Sequence, residues 1–185
     1  MKPILIGMNN PISTRPGHEL YPAPEGCTGH RLWQMLHART GASRLMYLEC
    51  FERRNLVAGR EYERISARAR AYEIVTELRD SGRTVVLLGQ EVREAFHYVL
   101  RNEVTRNWRE LPEGTRISGL PPLLVHPQTA VGVTWRQVPH PSGRNTWYNS
   151  RENCEVVELL MEELYVEYVE RTRTTAQAAG RPAEV

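Results

Sequence analysis

Lysine and aspartate are almost absent from this chain of 185 residues, since Lys2 is the only lysine and Asp80 the only aspartate. A phosphate-binding P-loop needs a lysine, and an enzyme that forms a Schiff base needs an amine in its pocket, which only Lys2 or the terminal amine can supply here. Carboxylate-clustered metal nucleases and Ser-His-Asp hydrolases need aspartates that the chain lacks. Histidine, asparagine, glutamate, arginine and the backbone are left to carry any chemistry.

Cysteines and long apolar runs are also scarce. Cys27, Cys50 and Cys154 are far apart and form no CxxC pair, so neither a disulfide framework nor a metal–thiolate site is indicated. No apolar run reaches the length of a membrane span, about 18 residues, and the start MKPILIGMNNP is too short an apolar run for a signal peptide. We therefore expect a reduced, cytoplasmic protein without a metal or a membrane contact. The net charge of +2 decides little about nucleic acid, because a basic face can be balanced by glutamates elsewhere.

The apolar pattern alternates between strands and helices. Apolar runs predict strands at residues 3–7, 54–57, 84–89 and 130–138. Amphipathic spacing predicts helices at residues 30–39, 61–79, 90–100 and 153–171. This alternation is typical of an α/β protein, here a three-layer αβα sandwich with a central, mostly parallel four-stranded sheet. We predict one domain over residues 1–172 and a flexible tail over residues 173–185.

The loops that follow strands are the places to look for chemistry, because ligands of such folds bind at the carboxyl ends of the strands. These loops comprise residues 7–29, 54–60, 89–91 and 138–149. The last of them, VPHPSGRNTWYN, places His140 between two prolines and follows it with small residues, an arginine and two aromatics.

Four segments of these strands and loops occur in a recognisable order. They are LIGMNNP (5–11), RNLV (54–57), VVLLGQEVREAF (85–96) and PHPSGRN (139–145). In this order they resemble the uracil-DNA glycosylase superfamily, and together they cover most of residues 4–149. The resemblance implies a monofunctional DNA glycosylase, acting as a monomer on a uracil-like, mismatched or modified base that is flipped out of DNA. Subfamilies with an iron–sulfur cluster need four cysteines and this chain has three, so no cofactor is expected.

His140 and an asparagine are the predicted catalytic residues. Breaking an N-glycosidic bond creates a sugar cation and an anionic base, so the enzyme needs a donor for the base and a group that positions water. The resemblance assigns the donor role to His140. It assigns the water-positioning role to Asn9 when counted from Gly7, or to Asn10 when counted back from Pro11, because this chain has one extra residue between them. An asparagine cannot act as a general base, so slow turnover or a readily expelled base is expected.

The remaining site residues follow from the same resemblance. Asn55 is expected to read the Watson–Crick edge of the flipped base with its amide, and Tyr21 to cover that base. The residues expected to contact DNA are Ser13, Gly89, Gln90, Ser142, Gly143, Arg144 and Asn145, with Arg144 entering the duplex beside the extruded nucleotide.

Structural roles and other functions remain alternatives. Asn9 and Asn10 are also typical of a tight turn, and His140 is also typical of a loop residue packed on Trp147 or Tyr148. A nucleic-acid or nucleotide-binding module of the same fold that has lost the reaction is a second function. A glycosylase for a hypermodified base is a third, since the loop over residues 8–29 is unusual and the last motif continues differently from the well-known uracil enzymes.

Overall fold

The computed structural model describes residues 1–10, 15, 17–57, 63–103 and 128–178. These residues form a five-stranded sheet with strand order β2-β1-β3-β5-β4. Strands β2, β1, β3 and β5 are parallel, whereas β4 pairs antiparallel with β5 at the edge. The strands are β1 (Ile4–Asn9), β2 (Glu52–Val57), β3 (Thr84–Leu88), β4 (Gln128–Ala130) and β5 (Val133–Val138).

Helices cover both faces of the sheet. One core cluster joins Leu5 and Val86 to α1, α2 and α5, and the other joins Ile4 and Val85 to α3 and α4. Side chains that alternate along each strand are therefore buried on both sides, which explains why β1 and β3 are continuous apolar runs in the sequence. The helices are α1 (Thr28–Thr40), α2 (Arg44–Cys50), α3 (Arg64–Leu78), α4 (Gln90–Glu103) and α5 (Arg151–Ala178).

The predicted fold class is confirmed: the protein is α/β, with helices on both faces of a mostly parallel sheet. The prediction of four strands is one too few, because the described residues form five. The predicted strand 130–138 is a hairpin, because Val131 and Gly132 both have positive φ angles, 49° and 69°, and reverse the chain. A β-branched residue rarely adopts such an angle, so Val131 is not a residue that predicts a turn.

Helix lengths also differ from expectation. The short helix α2 was not predicted; it begins after Ser43, whose hydroxyl accepts a hydrogen bond from the Met46 N–H (3.2 Å). Helix α5 continues past residue 171 to Ala178. The rest of the predicted tail, residues 179–185, lies outside the described residues. Among those that are described, no helix has both the length and the apolar character needed to cross a membrane.

Ion pairs fix the outer strand β2 to its surroundings. Arg54 donates two hydrogen bonds to the Glu77 carboxylate on α3, at 2.8 and 2.6 Å, and also pairs with Glu52. Glu52 in turn pairs with Arg83, which precedes β3. These contacts join β2 to the helix above it and to the start of the central strands.

The order of the parallel strands determines where a crevice opens at the edge of the sheet. The chain moves from β1 outward to β2, and then returns across β1 to β3 and β5. Loops that leave the carboxyl ends of β1 and β3 therefore diverge toward opposite faces, which opens a crevice there. The loops after β1 and β5, which carry most of the predicted site residues, lie at this end of the sheet.

Two glycines with the same backbone angle provide a test of the β4–β5 hairpin. Gly132 and Gly41 both have φ of 69°, but a methyl group on Gly132 would lie 2.5 Å from the Asp80 Cα, whereas Gly41 faces open space. We expect Gly41→Ala to cost about 1–2 kcal/mol in unfolding free energy from strain alone. Gly132→Ala should cost about 1–3 kcal/mol more because of the clash. Urea denaturation of both variants measures the difference, and equal losses would contradict the hairpin packing.

Candidate functional site

A cavity of about 330 Å³ opens at the carboxyl end of the sheet. Its wall comes from three parts of the chain: the end of β1 with the loop behind it, the first turn of α1, and the loop after β5. Of the predicted site residues, six lie in this wall: Asn9, Asn10, Tyr21, His140, Ser142 and Gly143. The cavity thus brings both predicted catalytic elements together.

His140 is held in place by its own loop. Its carbonyl oxygen accepts hydrogen bonds from the Ser142 N–H (2.8 Å) and from the Asn145 side-chain nitrogen (2.9 Å). The Asn145 side-chain oxygen accepts from the Trp147 N–H (3.1 Å). The Tyr148 hydroxyl donates to the Pro139 carbonyl (2.7 Å). The imidazole is therefore carried by a loop that is fixed on both sides.

Burial determines the charge of His140. Desolvation lowers the pKa of its imidazole below the ordinary value of 6.5, and the nearby carboxylate of Glu91 opposes this shift only in part. Gly89 explains the close packing, because a side-chain carbon there would lie 3.0 Å from the His140 Cβ. His140 is thus a neutral hydrogen-bonding group at neutral pH.

The two asparagines at the end of β1 are arranged differently. Asn9 is the last residue of the strand and pairs with Val57 of β2. Asn10 follows the strand, and its side-chain nitrogen donates to the His18 carbonyl (2.9 Å). Both lie in the cavity wall. The Asn10 amide is used to hold the loop that closes this side of the cavity.

Asn55 lies at the expected end of the sheet but is not part of the cavity wall. It is the register partner of Gly7 in the neighbouring strand, and a carbon added to Gly7 would lie 2.7 Å from its amide. When the Asn55 amide is oriented so that its nitrogen and its oxygen both have hydrogen-bond partners, the nitrogen donates to the Arg54 carbonyl and the oxygen accepts from the Asn10 N–H, both at 3.3 Å. In this orientation Asn55 holds the backbone of Asn10. Its role in reading the base stays a prediction.

The loop before α1 packs with unusual closeness on the helix. A side-chain carbon on Gly29 would lie 2.2 Å from the Leu20 carbonyl oxygen and 2.3 Å from that of Tyr21, so only glycine fits there. The buried hydroxyl of Tyr47 donates to the same Leu20 carbonyl (3.1 Å), and burial raises the pKa of this tyrosine. Tyr21, which is 43% exposed, lines the cavity, and its role as a lid over the base stays a prediction.

The other described residues that were predicted to contact DNA are not part of the cavity wall. Arg144 is exposed on the loop after His140. Gln90 is exposed at the start of α4, where its side chain donates to Glu94 (2.8 Å). Gly89 lies behind His140, and the Asn145 amide is engaged within its loop. Ser13 lies outside the described residues.

Several wall residues were not predicted. His18, Cys27 and Thr28 line the cavity, and Arg31 lies at its edge. The cysteine caps α1, accepting from the His30 N–H (3.4 Å) and donating to the Tyr21 carbonyl (3.3 Å). A cysteine is not among the usual capping residues, so the start of α1 in the cavity wall could not be predicted from Cys27.

The cavity wall contains asparagine, histidine, serine and threonine side chains but, within the part of the chain that the structure describes, no carboxylate. In that same part, metal-ligating side chains do not gather in a group of three or more. The described wall residues can therefore donate and accept hydrogen bonds but do not offer a carboxylate as a general base.

Comparison with models of known protein families gives no match, and no curated protein matches significantly. The resemblance to the uracil-DNA glycosylase superfamily therefore stays a prediction from the four segments.

The neutral state of His140 predicts how stability depends on pH. Because its pKa is lower in the folded than in the unfolded chain, the unfolded chain binds more protons between the two values. This contribution to stability is fully present above about pH 6.5, the unfolded pKa, and decreases as the pH falls toward the folded pKa. We expect His140→Gln to lose less stability than the wild type between neutral and mildly acidic pH.

Urea denaturation at several pH values measures this difference. His18→Gln, which removes an exposed histidine from the same cavity, is the control for the loss of an imidazole. Identical pH profiles for His140→Gln and the wild type would contradict the burial argument.

Proposed function

We propose that this chain is a monofunctional DNA glycosylase that hydrolyses the N-glycosidic bond of a flipped uracil-like, mismatched or modified base, acting as a monomer in the cytoplasm. The observation that carries the proposal is the cavity in which Asn9, Asn10 and a neutral, fixed His140 meet. The order of the four sequence segments supports the same function.

The reaction requires a donor for the leaving base. When the bond between the sugar carbon and the base nitrogen breaks, its electron pair leaves with the base and the sugar becomes a cation. A neutral imidazole N–H of His140 donates to the developing negative charge without having to transfer its proton. Such a donor is useful only if it is already in position. The hydrogen bonds from Ser142 and Asn145 fix the backbone of His140, and the imidazole packs on Gly89, where an added carbon would lie 3.5 Å from its Cδ2.

Water completes the reaction at the sugar carbon. The amide oxygen of Asn9 or Asn10 accepts a hydrogen bond from this water, which adds to the cation and releases its second proton to solvent. An amide orients the water but neither removes the proton nor offsets the cation with a full charge. The enzyme proposed here is therefore slow, or acts on bases that leave easily.

The proposal is tested by mass spectrometry of the bases released from DNA. A panel of duplexes with uracil, mismatched and hypermodified bases covers the substrate classes that the sequence leaves open. Release of one base by the wild type, and loss of that release in His140→Ala, supports the glycosylase. Absence of release from every duplex contradicts it.

A binding module is the second candidate function. The absence of a carboxylate from the cavity wall, within the described residues, favours it, because general-base activation of water then has no obvious agent. Such a protein would hold the flipped base and leave the bond intact. Tight binding of a duplex without release of any base in the same panel would favour this function.

Two residues of the last loop should separate chemistry from binding. We expect His140→Ala to slow base release by about 100-fold or more with little change in affinity, because its donor acts on charge that develops in the transition state. Arg144→Ala should instead weaken binding, because an exposed arginine contacts DNA throughout. Single-turnover release and a binding titration at one fixed salt concentration measure the two effects. His37→Ala, outside the cavity, is the control, and wild-type release by His140→Ala would contradict the donor role.

The position of the only lysine predicts that no lyase activity accompanies base release. Lys2 precedes β1, whereas the cavity begins at Gly7, roughly 16 Å along an extended strand. No lysine amine therefore reaches the sugar to form an imine. Borohydride treatment during the reaction should trap no covalent protein–DNA adduct, and an adduct that disappears in Lys2→Ala would contradict this.

A further inference from the structure

Arg31 lies between the two loops that form the cavity mouth. It belongs to the first turns of α1, and its Nε donates to the carbonyl of Gly26 (3.2 Å) in the loop before the helix. Its Nη2 lies 3.0 Å from the position that a side-chain carbon on Gly143 would occupy. Gly26 and Gly143 are both wall residues. The guanidinium thus spans the mouth from one wall to the other.

No carboxylate neutralises this guanidinium among the described residues. By contrast, the half-buried Arg136 pairs with Glu163 (2.6 Å). The carboxylates at the start of α5 that share the neighbourhood of Cys154 with Arg31 belong to Glu155 and Glu158, and both pair with Arg151. The charge of Arg31 is left to face the mouth.

The donors of Arg31 are also mostly unused within the protein. A guanidinium carries five N–H donors in a planar fork, and the described contacts of Arg31 use one of them. The Nη groups lie against Gly143, where the missing side chain leaves the backbone of the His140 loop accessible. This geometry suits a planar or tetrahedral anion that approaches from outside.

We infer that Arg31 binds a backbone phosphate of the nucleotide whose base occupies the cavity. This inference rests on the proposed function, since it requires a DNA nucleotide at the site. With the base beside His140, its own phosphates stay at the mouth, beside the guanidinium of Arg31. A guanidinium fork forms two parallel hydrogen bonds to phosphate, which a lysine does not reproduce.

The salt dependence of DNA binding tests the inference. The probe is a short fluorescent duplex with the base that the wild type releases, or with uracil opposite guanine if it releases none. A plot of log affinity against log salt concentration has a negative slope, and removing one phosphate contact reduces the magnitude of this slope by about one. We expect this reduction in Arg31→Gln and in Arg31→Met. In Arg31→Lys we expect most of the wild-type slope to be kept while the binding is weaker. Arg68→Gln, on α3 across the sheet, removes the same charge far from the cavity and is the control.

A second pair of variants tests the same contact without altering Arg31. In Gly143→Asp, a carboxylate placed beside the guanidinium should pair with it and lower the slope relative to Gly143→Ala, which adds only a methyl group. An unchanged slope in the Arg31 variants, an equal loss in Arg68→Gln, or equal slopes for the two Gly143 variants overturns the inference.

Base release from the same duplex separates this inference from the proposed function. If the wild type releases the base and Arg31→Gln has an unchanged salt-dependence slope, the phosphate contact is contradicted and the glycosylase is not. A lower slope in Arg31→Gln without any release by the wild type contradicts the glycosylase alone and supports Arg31 as a phosphate contact of a binding module.

Discussion

The cavity depends on one close approach between backbones. The carbonyls of Leu20 and Tyr21 pass so near the first turn of α1 that residue 29 has no room for a side chain. The Tyr47 hydroxyl, buried between α2 and this loop, fixes the Leu20 carbonyl from the other side. Without this packing the loop behind β1 would have no defined path, and the wall opposite His140 would be lost. The most restrictive constraint on the site is therefore steric and lies away from the reacting groups.

Neutral groups dominate the cavity, and this limits the chemistry it can perform. Burial lowers the pKa of His140, and the end of β1 contributes the amides of Asn9 and Asn10 to the wall, whereas the described wall has no carboxylate. Stabilisation must therefore come from dipoles that are correctly oriented before the reaction begins. The fixed loop around His140 serves this requirement, since an imidazole that had to reorient would lose most of its effect. Full charges near the cavity come from Arg31 at its mouth and from the Glu91 carboxylate, which acts on the pKa of His140.

The fold class and the position of the site were predictable from the sequence, whereas the contacts were not. Apolar runs that end in loops with polar residues placed Asn9 and His140 at one edge of the sheet, and the structure brings them into one cavity. Asn55 was assigned to the same wall, but its amide turns toward the Asn10 backbone because it lies level with Gly7 in the adjacent strand. Arg31 was missed because a helical arginine carries no local signal; its position depends on a loop more than a hundred residues away.

The ion pairs along β2 have an effect beyond fixing that strand. Among the described strands β2 is the outer parallel strand, so one side of its backbone has no neighbouring strand. Exposed edges of this kind attract other chains, which add to the sheet by hydrogen bonding. Here an incoming strand would meet Glu52 and Arg54, already paired with Arg83 and Glu77, and would have to strip water from these charges to dock. The network that anchors β2 thus also protects the sheet against edge-to-edge aggregation.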